Sequence, residues 1–386
     1  MAKGAYVGVS SVARKIKNGY TGVDSVARKI KKAYIGIGGV ARLFFGGDVV
    51  EYFGTTTELQ SSRYSMAAAT IGDYALFGGG QASGTSYSTI VDAYNSSLTR
   101  SAPSGFSYGA QGVAATTVGD YAIFGGGKSA SSTFQNRIYC YDTALTRTEK
   151  WLAAEALYNG RAFLAATAVG NYAIFAGGQS GSSAVSDYVD AFDTSLTKST
   201  PTVLSAARLN LVAATVGNYA VFAGGQTTTS GTYSSVVDAY NASLTRSTPT
   251  ALSLARRYLA ATTVGDYALF GGGQASSSSY SPVVNAYNAS LTRSTPTALS
   301  VGRRMLSATT VGKYAIFAGG ISQSAGRGVV DVYDTSLTRT TAKSLSVGRH
   351  YMAATTVGEY ALFAGGQDEN GSSVKTVEAY FENKEI

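Results

Sequence analysis

Beyond residue 49 the apolar residues do not recur at the three- and four-residue spacing of an amphipathic helix. They fall in short runs broken by Gly, Ser, Asn and Asp, which is the punctuation of strands and tight turns. One unit shows the pattern. Arg256 to Val264 reads as a strand of small residues, and Gly265-Asp266 as a two-residue hairpin turn, since glycine reaches the positive φ such turns need. Tyr267 to Gly273 is a second strand ending in glycines. A Ser-rich loop leads to a third strand at Val283 to Tyr287, and Asn288-Ala289-Ser290 turns into a polar fourth strand, Leu291 to Pro296.

The segment Tyr-Ala-(Leu/Ile/Val)-Phe-(Gly/Ala)-Gly-Gly occurs seven times, with its phenylalanines at Phe77, Phe124, Phe175, Phe222, Phe270, Phe317 and Phe363. Steps of 47, 51, 47, 48, 47 and 46 residues suit one four-stranded propeller blade per repeat. The last repeat supplies only three strands, ending near Val377–Phe381, and Val49 to Gln60 reads as the missing fourth. Pairing these two segments removes a free sheet edge that would invite aggregation. The expectation is therefore an all-β chain: a seven-bladed β-propeller over 48–386, its last blade completed by a strand at 49–60, preceded by a small β-hairpin repeat segment over 1–47.

That preceding segment has its own period. Tyr6, Tyr20 and Tyr34 stand 14 residues apart, as do Arg14, Arg28 and Arg42. Each unit alternates along one short strand, turns at Ser10-Ser11, Asp24-Ser25 or Gly38-Gly39, and runs on through Val-Ala-Arg. Three lone hairpins are too small to bury a core of their own, so the segment is expected to dock on a partner protein, another copy of itself, or the propeller. Tyr6, Arg14, Tyr20, Arg28, Tyr34 and Arg42 are the candidate docking residues.

The seven hydrophobic-Gly-Gly motifs, each followed by a third-strand aromatic (Tyr94, Tyr141, Phe192, Tyr240, Tyr287, Tyr333, Tyr380), resemble a Kelch-type propeller, the architecture also used by the galactose oxidase family. A full Kelch repeat carries a tryptophan after that aromatic; this chain has one tryptophan, Trp151, so six units depart from the pattern. The Tyr-x-Gly-Val…Val-Ala-Arg-Lys wording of residues 1–47 is similar to propeller proteins encoded in phages and prophages of Gram-positive gut bacteria. That resemblance implies a virion-associated protein of the tail or baseplate.

Composition narrows the chemistry. In 386 residues, 45% are hydrophobic and 14% charged, with 46 glycines and 27 tyrosines, which is too apolar and aromatic for disorder. No apolar run approaches the ~20 residues of a membrane helix, and no export signal stands at the N-terminus, so synthesis in a host cytoplasm is expected. One cysteine, Cys140, and one histidine, His350, leave no disulfide framework and no ordinary His/Cys metal site. A galactose-oxidase-like copper centre needs two histidines. The Gly-Gly-Gly segments are not phosphate loops, because no helix or Gly-Lys-Ser/Thr follows. No catalytic residue, cofactor or metal is expected. Residues 1–47 carry nine Lys or Arg against the single acid Asp24, whereas the remainder balances 22 against 22. The cations alternate with Val, Ala and Ile rather than forming a polybasic run, which favours protein docking over nucleic acid or an anionic envelope.

Two features suggest a ligand face. Eleven residues before the second-strand tyrosines stand Arg63, Arg161, Arg208, Arg256, Arg303 and Arg349, with Ala110 in the second repeat. They would ring one mouth of the channel and hold anions through their planar forks; the same regularity is also what blade packing would produce. Recurrent Asp92, Asp190, Asp238 and Asp331 in the third strands read as structural. The loops joining strands two and three differ between repeats, are rich in Ser, Gly and Thr, and carry Tyr87, Phe134, Tyr233 and Tyr280. Such loops suit adaptable recognition. The expected function is a non-enzymatic particle display protein: residues 1–47 hold it, in several copies, to other particle proteins, and the propeller presents its loops to a host surface glycan or protein. A structural particle component without a specific ligand, and an intracellular interaction module for acidic peptides, are the alternatives.

Overall fold

A computed structural model describes the backbone of residues 6–9, 12–15, 20–23, 26–29, 33–37 and 40–45, then residues 49–129, 133–323 and 328–383, with side chains from Val50 onward. Seven antiparallel four-stranded sheets form a closed ring. Blade 5 runs Ala260–Val264, Tyr267–Gly271, Val284–Asn288 and Arg293–Ser294 from the channel outward. Its first strand starts later than the sequence suggests, because Tyr258 takes a left-handed φ of 55° and breaks the run. Its last strand is short because Leu291 is also left-handed, held in a turn where Asn288 Oδ1 accepts the N–H groups of Ser290 and Thr292 at 3.0 and 2.9 Å.

Blade 7 consists of Ala353–Val357, Tyr360–Ala364, Val377–Asn383 and, outermost, Val49–Thr55. The closing pair registers Glu378 with Thr55 and Phe381 with Glu51, with a bulge between Ala379 and Tyr380. The completing strand expected over 49–60 is thus present over its first seven residues. The chain then leaves the ladder, although Leu59 N–H still reaches Lys375 O at 2.9 Å.

Seven apolar clusters hold the blades together, each drawn from two neighbours. The repeated phenylalanine meets its own blade's third-strand aromatic edge-on, as in Phe77–Tyr94 with centroids 5.9 Å apart. In six blades that aromatic is a tyrosine whose hydroxyl donates to a carbonyl some 37 residues earlier, for example Tyr94 to Thr57 O at 2.9 Å. Burial raises the pKa of these phenols and keeps them donors.

The glycine pair has a specific task. The second glycine donates its N–H to the backbone carbonyl of the next repeat's Arg position, from Gly80 to Ala110 O at 2.8 Å around to Gly366 to Arg63 O at 2.9 Å. Gly366 has φ 105°, and a Cβ there would stand 2.6 Å from His350 O. A side chain cannot be fitted without breaking the seam.

Before the ring lie three two-stranded antiparallel pairs, Tyr6–Val9 with Val12–Lys15, Tyr20–Val23 with Val26–Lys29, and Ala33–Ile37 with Val40–Phe45. In each unit the arginine of the 14-residue period pairs with the residue after the tyrosine: Val7 with Arg14, Thr21 with Arg28, Ile35 with Arg42. The side chains of Tyr6, Arg14, Tyr20, Arg28, Tyr34 and Arg42, and the turns at Ser10-Ser11, Asp24-Ser25 and Gly38-Gly39, lie outside the described residues.

Candidate functional site

The six aligned arginines occupy one position per blade, but not as an open anion-binding ring. Arg63, Arg161, Arg208, Arg256, Arg303 and Arg349 are at most 1% exposed. Each guanidinium is turned into its own blade toward the third strand. Arg161 meets Asp190 at 2.6 Å, Arg303 meets Asp331 at 2.7 Å, Arg349 meets Glu378 at 2.6 Å, and Arg63 and Arg208 contact Asp92 and Asp238. Several also donate to carbonyls of the second strand, such as Arg161 to Phe175 O at 3.2 Å. Their Nη groups are turned into blade packing, and the Nε groups of all but Arg208 are buried without an acceptor, so none lines a mouth.

Blades 2 and 5 deviate in informative ways. In blade 2 both partners are replaced at once: Ala110 stands for the arginine and Tyr139 for the acid, and Phe106 stacks on Tyr139 at 4.3 Å and 9°. In blade 5 the arginine remains but meets Asn285 at 2.7 Å. Without a carboxylate, burial lowers Arg256 to about 10.

The open site lies just above. Residues two positions past the arginines form a ring around the channel: Ser65, Phe163, Asn210, Tyr258, Met305 and Tyr351, with Gly112 completing it. All have positive φ, between 53° and 66°. That conformation costs of order 1–3 kcal/mol for residues as bulky as these aromatics. It turns the backbone tangentially, so one blade donates to the last: Phe163 N to Gly112 O at 2.8 Å, Asn210 N to Phe163 O at 3.0 Å, Met305 N to Tyr258 O at 2.9 Å, Tyr351 N to Met305 O at 3.1 Å, Ser65 N to Tyr351 O at 3.0 Å, and Gly112 N to Ser65 O at 3.2 Å. The strain is offset by a hydrogen-bonded belt around the axis.

Outside the belt is a cavity of about 400 Å³, with an inner apolar one of about 260 Å³ walled by Met66, Leu164, Leu211, Leu259, Leu306 and Met352 below it. The outer volume is that of a small-ligand site. Four of the residues that follow a glycine pair line its rim, Gln81, Gln179, Gln226 and Gln367, and Gln274 holds the same place in blade 5. Gln179 Nε2 donates to Gly181 O at 2.8 Å, Gln226 Nε2 to Thr228 O at 2.8 Å, and Gln367 Nε2 to Gly371 O at 3.1 Å. With the amide nitrogen tied to its own loop, Oε1 of Gln179 and of Gln367 is the untied acceptor, while Gln226 Oε1 accepts from Arg257. Gln81 Oε1 accepts from Tyr64 Oη at 2.7 Å. The rings of Tyr64 and Tyr351 lie 6.1 Å apart, and those of Tyr258 and Tyr351 6.3 Å apart. Burial, then the neighbouring Tyr258, drives the Tyr351 phenol well above its ordinary pKa.

The loop aromatics reach this rim. Tyr87 pairs with Gln81, Phe134 with Lys128, Tyr233 with Gln226, and Tyr280 with Gln274. The variable loops therefore return to the mouth instead of ending at the periphery. Three of these aromatics lie under cations: Phe134 below Lys128 at 5.8 Å, Tyr233 below Arg257 at 5.1 Å, and Tyr280 below Arg304 at 5.0 Å. Sequence reasoning passed over the glutamines, Arg257 and Arg304. The recurrence of Gly-Gly-Gln in five repeats and the Arg-Arg doublets at 256–257 and 303–304 carried that signal.

Exposed apolar residues gather elsewhere, at the longest inter-repeat step, where Trp151, Leu152 and Tyr158 are 58%, 52% and 59% exposed. Cys140 is fully buried between blades 2 and 3, and burial pushes its thiol up to about 12. The described residues contain no helix long and apolar enough to cross a membrane. The chain matches no protein-family model and no curated protein.

Proposed function

We propose that this chain is a non-enzymatic display protein of a phage or prophage particle. Its 14-residue hairpin repeats dock on other particle proteins, and its propeller offers the loop-bearing face to a polymer or protein of the host surface. The observation that supports this reading is the division of variability. The turns joining strands one and two, and most of those joining strands three and four, follow a common pattern, whereas loops on one face differ in every blade and converge on a cavity of about 400 Å³ lined by tyrosines, amides and an arginine. Variable connections on a rigid ring are how scaffolds diversify binding. The Kelch-like glycine and aromatic pattern, and the phage-like wording of residues 1–47, agree with it. Several copies on one particle would turn weak single sites into firm attachment.

The test is capture of host envelope fractions and arrayed glycans by the full chain, presented at high valency on beads. Binding that is lost on replacing the loops after Gln81, Gln226 and Gln274 with Gly-Ser is the expected result. No binding at any valency would favour a structural particle component instead. The expected location, on an assembled virion, is checked by fractionating particles.

A further inference from the structure

The cations at the mouth are gathered in one sector. Gln274 Oε1 accepts from Arg257 Nε at 3.1 Å and from Arg304 Nη1 at 2.9 Å, so two guanidiniums of neighbouring blades converge on one neutral oxygen. Arg257 also donates through Nη1 to Gln226 Oε1. Tyr233 and Tyr280, from the loops of the preceding blades, brace the two guanidiniums from beneath, and Tyr258 lies 4.8 Å from that of Arg257. Among the described residues neither has a carboxylate partner, and Arg304 Nε has no acceptor. The same sector holds Arg256, the one inner arginine paired with an amide instead of an acid. Like charges drawn together on a neutral acceptor repel one another, and an anion seated between them reverses the sign of that interaction.

We propose that Arg257 and Arg304 form an anion subsite for an acidic saccharide, its carboxylate or phosphate held by the two guanidiniums and its ring lying over Tyr258 and Tyr351. This rests on the recognition reading above and specifies its ligand class. The rest of the cavity selects a sugar over an acidic peptide. The untied Oε1 atoms of Gln179 and Gln367 need donors, which the several hydroxyls of a sugar supply at once, whereas an acidic peptide offers only its backbone N–H groups. Aromatic faces beside fixed polar acceptors complete the match. Planar guanidiniums accept carboxylate and phosphate alike in two-point geometry, so both sources are tested.

The experiment is calorimetric titration of the full chain with trigalacturonic acid, a maltotriose phosphate, maltotriose and hexaglutamate, for wild type, Arg257→Gln and Arg304→Gln, with circular dichroism confirming each variant's fold. One acidic saccharide is expected to bind, the stronger of the two identifying the charged group. Either substitution should weaken it at least tenfold, and so should raised salt, while maltotriose should not bind. The proposal is overturned if neither acidic saccharide binds at millimolar concentration, if maltotriose binds equally well, if hexaglutamate binds more tightly, or if both variants stay within twofold of wild type. Envelope capture separates the levels. If Arg257→Gln and Arg304→Gln capture envelope like wild type while the loop replacements do not, the anion subsite fails and the recognition reading stands. If wild type captures nothing, the recognition reading itself fails.

Discussion

Blade 4 allows the role of the inner arginine to be measured, because blade 2 supplies a natural replacement for it. Arg208 Nη1 donates to Gly224 O at 3.0 Å and Val236 O at 2.7 Å, and Nη2 contacts Asp238. Both side chains are fully buried. Asp238 also accepts from Ser205 N at 3.0 Å and from Arg246 at 3.1 Å. Arg208→Ala would strip Gly224 O and Val236 O of a donor, leave a buried carboxylate with only Ser205 N and the partly exposed Arg246, and open a void. Removing one member of a buried pair costs about 3–5 kcal/mol. If the ring unfolds as one unit, that is a fall of roughly 4–7 °C in Tm for a domain of this size.

Copying blade 2 into blade 4 takes four changes: Leu204→Phe, Arg208→Ala, Asp238→Tyr and, in blade 3, Ala176→Gly, because Phe106 packs where a Cβ on the matching Gly78 would stand 2.6 Å from its ring. In blade 2 the corresponding Phe106 and Tyr139 stack at 4.3 Å, and the Tyr139 hydroxyl meets Ser107 at 3.2 Å. Ser205 already stands in the equivalent place in blade 4. No charge is then left buried, and two rings fill the space. The quadruple variant is expected within about 2 kcal/mol of wild type, far better than Arg208→Ala, a non-additivity typical of residues in direct contact. Equilibrium unfolding in guanidinium followed by far-UV circular dichroism reads the difference. A loss below about 1 kcal/mol for Arg208→Ala, or a quadruple variant no more stable than that single one, would refute the packing argument.

Three further expectations follow from the same geometry. Asn285→Asp restores the carboxylate that Arg256 lacks, and Ser253 Oγ, now 2.9 Å from Asn285 Nδ2, can turn to donate to it; a gain of about 1–3 kcal/mol at pH 7 is expected from thermal unfolding, and a loss would show that desolvating the new charge outweighs the pairing. Gly366→Ala, at φ 105° with its new Cβ 2.6 Å from His350 O, should cost more than about 2 kcal/mol in the same assay, unlike Gly84→Ala, where nothing stands within 4 Å. Cys140 should resist disulfide reagents at pH 8 until the chain is unfolded. Because its thiol is raised from 9.0 to about 12, the folded state keeps a proton that the unfolded state loses, so stability falls by about 1.4 kcal/mol per pH unit across that window, and Cys140→Ala should remove that share of the slope.

The repeat arithmetic made the ring legible because a blade cannot bury its faces alone, so each must carry the same glycines and aromatics in the same places. Closure by Val49–Thr55 was legible for a related reason, since an unpaired edge in the last repeat needed a strand and the chain offered one. The arginines show where such reading stops. A residue repeated in six blades is under a demand shared by six blades, and the shared demand is packing, whereas a ligand touches each blade differently. The mouth follows that rule in reverse. At the belt the seven residues are Ser65, Gly112, Phe163, Asn210, Tyr258, Met305 and Tyr351, six residue types in seven places although their backbones share one left-handed conformation. Only the backbone demand is common, so side-chain chemistry is free to vary where a ligand would meet it. The left-handed backbone is invisible in the one-dimensional pattern, because a left-handed tyrosine is spelled like any other, and Arg304 joins Arg257 on Gln274 only after neighbouring blades close around the axis. The informative sequence signal for a site on such a ring is thus the position that fails to repeat inside an otherwise uniform frame.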